Sequence, residues 1–313
     1  MTPAALTLSV EAGATRPAGA DAPRRLGPWE LTRLVATGPL TQVYQARPAD
    51  QLEDRPAAYA VKMLRSEWQD DPRGLAVLCR EAAVARGVHH PHLISLLATG
   101  LSQPPYYLVT PWLEGATLAD GLSNGAQFDL PAALWLVRQA VEALDALHQA
   151  GWNHGDVKPS NLFVSPNGHV TLLDLGFARH RDEESGSVVE RLVMGTCAYI
   201  APEAITSAFG TDIRSDLYSL GVVLFELLAR RLPFEAANLT ELVMQHKQAR
   251  PPDLRKIAPQ LPTGVIRLVR EMLAKDPVRR PQTPGELIER LVALEVSTFS
   301  ERAYPGSFGC SPR

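Results

Sequence analysis

The stretch "HGDVKPSN", His154 to Asn161, gathers a carboxylate, an ammonium and a primary amide in one short segment. Asp156 is followed by Lys158 and Asn161, with Pro159 between the last two, and Gly155 separates His154 from Asp156. These types suit a site where Asp156 and Lys158 act on a hydroxyl and a phosphate. Asp, Asn, Pro and Gly also favour plain turns for local reasons, so the segment alone leaves that reading open. A second stretch, "LLDLGFAR", narrows the choice. There Asp174 ends an apolar, strand-like run just before Leu175 and Gly176. A carboxylate at a strand end beside a flexible glycine suits a metal-binding acid, and Asn161 with Asp174 offers the oxygen ligands Mg2+ prefers.

Two kinds of element must position these groups. Before residue 113 the chain shows short β-like runs, "WELTRLV", "TQVYQA", "AAYAVKML", "LISLLATG" and "YYLVT", spaced by turns as in an antiparallel sheet. A helical stretch, Gly74 to Val88, interrupts them. Beyond residue 113 helical periodicity dominates: "LPAALWLVRQAVEALDALHQAG", "SDLYSLGVVLFELLARR", "GVIRLVREMLAK" and "TPGELIERLVALE". The second of these opens on a Ser-Asp cap signal and is apolar nearly all round, which predicts a buried helix. The expected architecture is α+β, a small β-rich lobe (28–113) joined to a larger helical lobe (114–295), with a ligand cleft between them. Residues 1–27 and 296–313 are poor in large apolar groups and are expected to be disordered tails.

Composition limits the partners. The chain has 313 residues and a formal net charge of −3, from 31 basic and 34 acidic side chains, without a Lys/Arg-rich block. That argues against nucleic-acid binding. Cys79, Cys197 and Cys310 lie far apart without C-x-x-C spacing, which points to a reducing compartment rather than a disulfide framework. No apolar run is long enough for a membrane span, and the N-terminal segment lacks the pattern of a signal peptide, so a cytoplasmic location is expected. Arginine exceeds lysine and alanine is abundant, as in proteins of GC-rich, bacterial genomes.

Taken together, the motifs resemble the protein kinase family, in its bacterial Ser/Thr branch of the eukaryotic (Hanks) type. "HGDVKPSN" resembles the H-R-D-x-K-x-x-N catalytic loop, "DLG" the D-F-G turn, "YAVK" (Tyr59 to Lys62) the V-A-I-K strand, and "GTCAYIAPE" (Gly195 to Glu203) the segment ending in A-P-E. The resemblance covers roughly residues 28–295 and implies a two-lobed kinase fold. It also implies ATP- and Mg2+-dependent phosphorylation of Ser/Thr hydroxyls on protein substrates. By this match Lys62 holds the α- and β-phosphates and pairs with Glu81. Asp156 orients the hydroxyl and accepts its proton, Lys158 neutralises the γ-phosphoryl charge, and Asn161 and Asp174 hold Mg2+. Val35, Val43 and Ala60 form the roof of an adenine slot and Phe163 its floor. Thr110 is the gatekeeper, and the Leu113 backbone is the hinge contact. Glu203 pairs with Arg280, Asp216 braces the catalytic loop, and "HHPHL" (His89 to Leu93) is a turn after the small-lobe helix rather than a metal cluster.

The chain departs from the family pattern in several places. The glycine-rich loop "ATGPLTQV" places Ala36, Gly38 and Thr41 where three glycines are usual, and Pro39 removes an amide. Gly155 replaces the arginine that in the family binds an activation-loop phosphate. Leu175 replaces the phenylalanine of D-F-G, a swap of similar volume. Pro111 stands at the usual acidic hinge residue. Lys158 and Thr196 fit the Ser/Thr branch. Thr117 and Ser160 stand where basophilic kinases carry acids, so a strong basic preference is not expected. Two rivals remain: a pseudokinase acting as a nucleotide-binding or scaffolding module, favoured by the altered loop, and a small-molecule phosphotransferase, opposed by the "GTCAYIAPE" platform.

Overall fold

The computed structural model describes residues 25–50, 56–183, 197–206 and 211–303. Its N-terminal part is an antiparallel sheet. The strands are β1 (Arg25–Leu26), β2 (Trp29–Thr37), β3 (Thr41–Pro48), β4 (Tyr59–Leu64), β5 (Ala98–Gly100) and β6 (Tyr107–Pro111), ordered β1-β2-β3-β4-β6-β5. Alternation divides the side chains between two faces. Tyr44, Val61, Met63 and Val109 bury one face together with Leu26 and Leu31. The other face receives helix α1 (Pro72–Gly87), whose Leu78 and Ala82 pack with Leu64 and Leu108. Asp71 caps α1 by accepting from the Arg73 amide, and Pro72 occupies the first turn, where no amide is needed.

The C-terminal part is helical. Short α2 (Leu118–Ser123) follows β7 (Ala116–Thr117) and leads to α3 (Leu130–Gln149), which buries Leu134, Val137, Val141 and Leu144. Strands β8 (Trp152–Asn153), β9 (Leu162–Val164), β10 (Val170–Leu172) and β11 (Arg179–His180) carry the loops between them toward the sheet. The remaining helices are α4 (Pro202–Thr206), α5 (Ile213–Ala229), α6 (Leu239–Gln248), α7 (Leu254–Ile257), α8 (Thr263–Met272) and α9 (Pro284–Ala303). As its composition predicts, α5 is buried almost all round, from Ile213 to Leu227. It opens on an Asp212 cap, three residues before the Ser215 of the expected Ser-Asp signal. The two lobes are stitched behind the cleft, where Leu172 N–H donates to His92 O (2.8 Å) and Ile94 N–H to Leu172 O (3.1 Å).

The expected lobe edges need correction. Arg25 and Leu26, assigned to a tail, pair with Glu30 and Trp29 as β1, and Leu26 is buried. At the other end α9 continues through residue 295 to Ala303, because Thr298 still buries its side chain and the helix has no breaker there. The helix read as Gly74 to Val88 begins instead at Pro72. Of "LISLLATG", the last residues alone, Ala98–Gly100, form a strand. Residues 1–24 and 304–313, the rest of the expected tails, lie outside the described residues. No described helix is long and apolar enough to cross a membrane.

Candidate active site

Strand register places the small-lobe residues. Val43 stands opposite Lys62, and Ala60 opposite Thr110. Cross-strand partners share a face, as do residues two apart on one strand, so Val43, Ala60, Lys62 and Thr110 all face the α1 side of the sheet. Val35 lies on β2 at a register irregularity and is 42% exposed. Phe163, on β9, stands opposite Thr117 and Thr171 on the C-terminal side. Neither backbone group of Leu113 has a hydrogen-bond partner among the described residues.

Lys62 is where the two lobes meet chemically. Its Nζ lies 2.7 Å from Glu81 Oε2 on α1 and 2.9 Å from Asp174 Oδ1, at the turn after β10. Burial alone would lower the Lys62 pKa, but Asp174 and Glu81 outweigh it and raise it above the usual lysine value. Burial pushes Glu81 up to about 6 against the pull of Lys62, because two carboxylates share one ammonium. For Asp174 burial acts upward, yet Lys62 holds the carboxyl below its usual range. Asp174 has φ 61°, a left-handed conformation that turns its carboxylate back toward Lys62. Gly176 follows for lack of space: a Cβ there would meet Val77 Cγ1 at 2.5 Å.

The catalytic-loop residues converge on Asp156. Lys158 Nζ lies 2.7 Å from Asp156 Oδ2, and Asn161 Nδ2 donates to Asp156 O (2.8 Å) and Oδ2 (3.0 Å). Burial raises the Asp156 pKa against the opposing pull of Lys158, which makes it a better proton acceptor than an exposed aspartate. The loop is held from below by buried Asp216 on α5, which accepts from the amides of His154 (2.6 Å) and Gly155 (2.8 Å). His154 is fully buried, with Nε2 3.0 Å from Leu173 O, so its role is packing and anchoring. Gly155 has φ 79°, a left-handed conformation that glycine adopts without steric cost. The absent arginine is therefore a backbone matter as well as a loss of charge.

A bound nucleotide and metal have matching donors. With Nδ2 of Asn161 committed to Asp156, Oδ1 remains without a partner among the described residues, as does Asp174 Oδ2. Two neutral-to-anionic oxygens of this kind fit Mg2+. No group of three or more His, Cys, Asp and Glu side chains placed to hold a metal ion occurs among the described residues.

The turn between β2 and β3 departs further from a phosphate cradle than its composition alone suggests. Gly38 spends its amide on Thr41 O (2.8 Å), and Pro39 has none. The turn is tied down from outside, with Arg65 donating to Gly38 O (3.1 Å) and Trp68 Nε1 to Pro39 O (3.1 Å). These two residues carry no motif, so nothing in the sequence marked them. Arg280, fully buried, grips Glu203 with two bonds of 2.6 and 2.7 Å, as the motif match implied. Ser185, Ser187, Gly195 and Thr196 lie outside the described residues.

Comparison with known proteins agrees with this geometry. Residues 29–291 match the family model described as "Protein kinase domain". The chain is 35% identical over 276 residues to the serine/threonine-protein kinase PknA of Mycobacterium tuberculosis, covering 86% of this chain and 61% of that one. It is 30% identical over 279 residues to PrkC of Bacillus subtilis (89% and 42%) and 33% over 275 residues to PknB of Mycolicibacterium smegmatis (85% and 43%). It thus spans between about two-fifths and three-fifths of the length of these relatives. With motifs, lobes and charge cluster in the matching order, the chain belongs to the protein kinase family, and its relatives are bacterial Ser/Thr kinases.

Proposed function

We propose that this protein transfers the γ-phosphoryl group of ATP, with Mg2+, to Ser/Thr hydroxyls of protein substrates. The observation that carries the reading is the Glu81–Lys62–Asp174 chain, which joins the small-lobe helix, the sheet and the metal-binding turn through one ammonium. In this reading Lys62 binds the phosphates and Asn161 Oδ1 and Asp174 hold Mg2+. Mg2+, when bound, draws charge off the phosphates. Asp156 accepts the hydroxyl proton on Oδ1 or Oδ2, and Asn161 fixes its orientation. Lys158, paired with Asp156, supplies positive charge where the transferred group becomes most anionic. Val43, Ala60, Thr110, Leu113 and Phe163 enclose the adenine, with Val35 and Gly38 at its mouth. The kinase domain takes in the matched residues 29–291, and the chain is read as acting in the cytoplasm.

The tied-down β2–β3 turn favours a second reading, a pseudokinase acting as a nucleotide-binding or scaffolding module without transfer. Incubation with labelled ATP and Mg2+, wild type beside Asp156→Asn, separates the two. Autophosphorylation lost in the variant supports transfer, whereas no signal from either protein supports the binding module.

A further inference from the structure

A groove of about 580 Å3, lined by no residue of Asp156's loop, runs between the end of α6 and the end of α8. Its rim carries Arg250, Arg270 and Arg279, all exposed. None of the three makes an ion pair among the described residues. This sets them apart from Arg138, Arg214, Arg255 and Arg280, each bound to a carboxylate. Lys275 forms part of the wall, its Nζ 4.0 Å from the Phe234 ring centroid and 3.3 Å from the Tyr218 hydroxyl. Two acids also line the groove. Glu271 is neutralised from outside by Arg290, and Asp276 is occupied in capping, accepting from the Val278 amide at 3.0 Å. Asp276 keeps its charge, so four cations (Arg250, Arg270, Lys275 and Arg279) stand against two carboxylates, and the lining is net positive although the whole chain is net negative.

We propose that this groove docks an acidic stretch of a partner protein. Guanidinium groups match carboxylates in two-pronged hydrogen bonds, and three of them in one groove favour a chain of carboxylates over a single anion. No aromatic side chain lines the groove, so it lacks the platform on which nucleotide bases stack. Its apolar surface exceeds its polar surface but is small in extent, which is poor anchorage for a lipid surface. Exposed guanidinium–carboxylate contacts are individually weak and screened by salt, so the docking depends on several of them at once. The inference does not require phosphoryl transfer, because the groove is built from residues outside the candidate active site.

The test is fluorescence anisotropy with a labelled oligoglutamate peptide of about ten residues, without ATP, using the whole chain. Wild type is expected to bind saturably and to lose affinity as salt rises. Arg250→Glu combined with Arg279→Glu should weaken binding at least ten-fold. Arg230→Glu combined with Arg231→Glu, the same charge change on exposed arginines outside the groove, should alter it less than two-fold. Equal weakening by both pairs, or no saturable binding by wild type, overturns the proposal. So does preference for a single-stranded oligonucleotide or for phosphatidylserine vesicles over the peptide. Phosphorylation of a short substrate lacking acidic residues should be the same in wild type and the Arg250/Arg279 variant. Loss of that activity in both proteins would count against the proposed transferase function and leave the docking result standing.

Discussion

Arg80 Nη1 lies 2.6 Å from Glu183 Oε2 and also donates to Ala178 O at 2.9 Å. Arg80 precedes Glu81 on α1, and Glu183 belongs to the segment after the Asp174 turn. A carboxylate thus ties that segment to the helix whose next residue holds Lys62. The family arginine that binds an activation-loop phosphate is Gly155 here, so a permanent negative charge facing Arg80 supplies a contact that needs no modification.

Activity is therefore expected to survive removal of loop phosphates. Phosphatase-treated enzyme and a Ser185→Ala/Ser187→Ala variant should retain rates within about three-fold of wild type, whereas Glu183→Ala should fall further. Charge exchange, Arg80→Glu with Glu183→Arg, should recover part of the loss in a double-mutant cycle. Collapse of the phosphatase-treated sample, with mass spectrometry confirming the missing phosphate, would refute this.

Lys62→Met should reduce transfer about 100-fold or more, the scale of losing one charged group at a developing anion. The fold should persist, because Glu81 already titrates near 6 and takes up a proton when its ammonium is removed. Initial rates and thermal melts of the purified variant check both halves. A variant that phosphorylates as fast as wild type would remove Lys62 from the mechanism.

The β2–β3 turn should bind ATP weakly and only with Mg2+. Pro39→Gly restores an amide to the turn, and one hydrogen bond to a charged group is worth about 1.5 kcal/mol, or about ten-fold in affinity. Calorimetric titration with and without Mg2+ measures this. Tight binding to wild type in the absence of metal would favour the pseudokinase reading.

Arg280→Leu should destabilise the helical lobe by about 3–5 kcal/mol, because it strands Glu203 and removes bonds to Ala274 O, Arg214 O and Lys275 O. Glu203→Leu added to it should recover part of the loss. Urea denaturation of the three proteins reads the effect, and a single variant as stable as wild type would contradict it.

His246 predicts how stability changes with acidity. It is fully buried beside Tyr218, Phe234 and Lys275, and its Nε2 has no hydrogen-bond partner among the described residues. Burial, aided by Lys275 and opposed by the Ala198 backbone, lowers its pKa from 6.5 to about 4. Below the unfolded value the unfolded chain binds the proton that the native chain refuses, so stability falls as pH drops from about 6.5 toward about 4. The loss between about pH 7 and about pH 5 is about 2 kcal/mol. His246→Gln should lack this component, so its melting temperature should depend less steeply on pH across that window. Parallel curves for the two proteins would exclude it.

The chemistry of the site was legible in the sequence because each group sits in a short local pattern. Asp156, Lys158 and Asn161 share one loop, and Asp174 ends its own strand run. The helix α5 was equally legible, since an all-apolar surface over many turns has nowhere to go but the interior. Other features depend on partners distant along the chain. Lys62 and Asp174 meet across 112 residues, and Arg80 and Glu183 across 103. Arg65 and Trp68 reach back to the β2–β3 turn with no local signal. The tail boundaries failed for a related reason: Leu26 is ordered by packing against Tyr44 and Val61 on other strands, not by anything in its own neighbourhood. Sequence by itself determined which groups are present and in what order. Tertiary structure decided which charges neutralise each other and which remain free, because Coulomb energy and burial depend on distance in space rather than on separation along the chain.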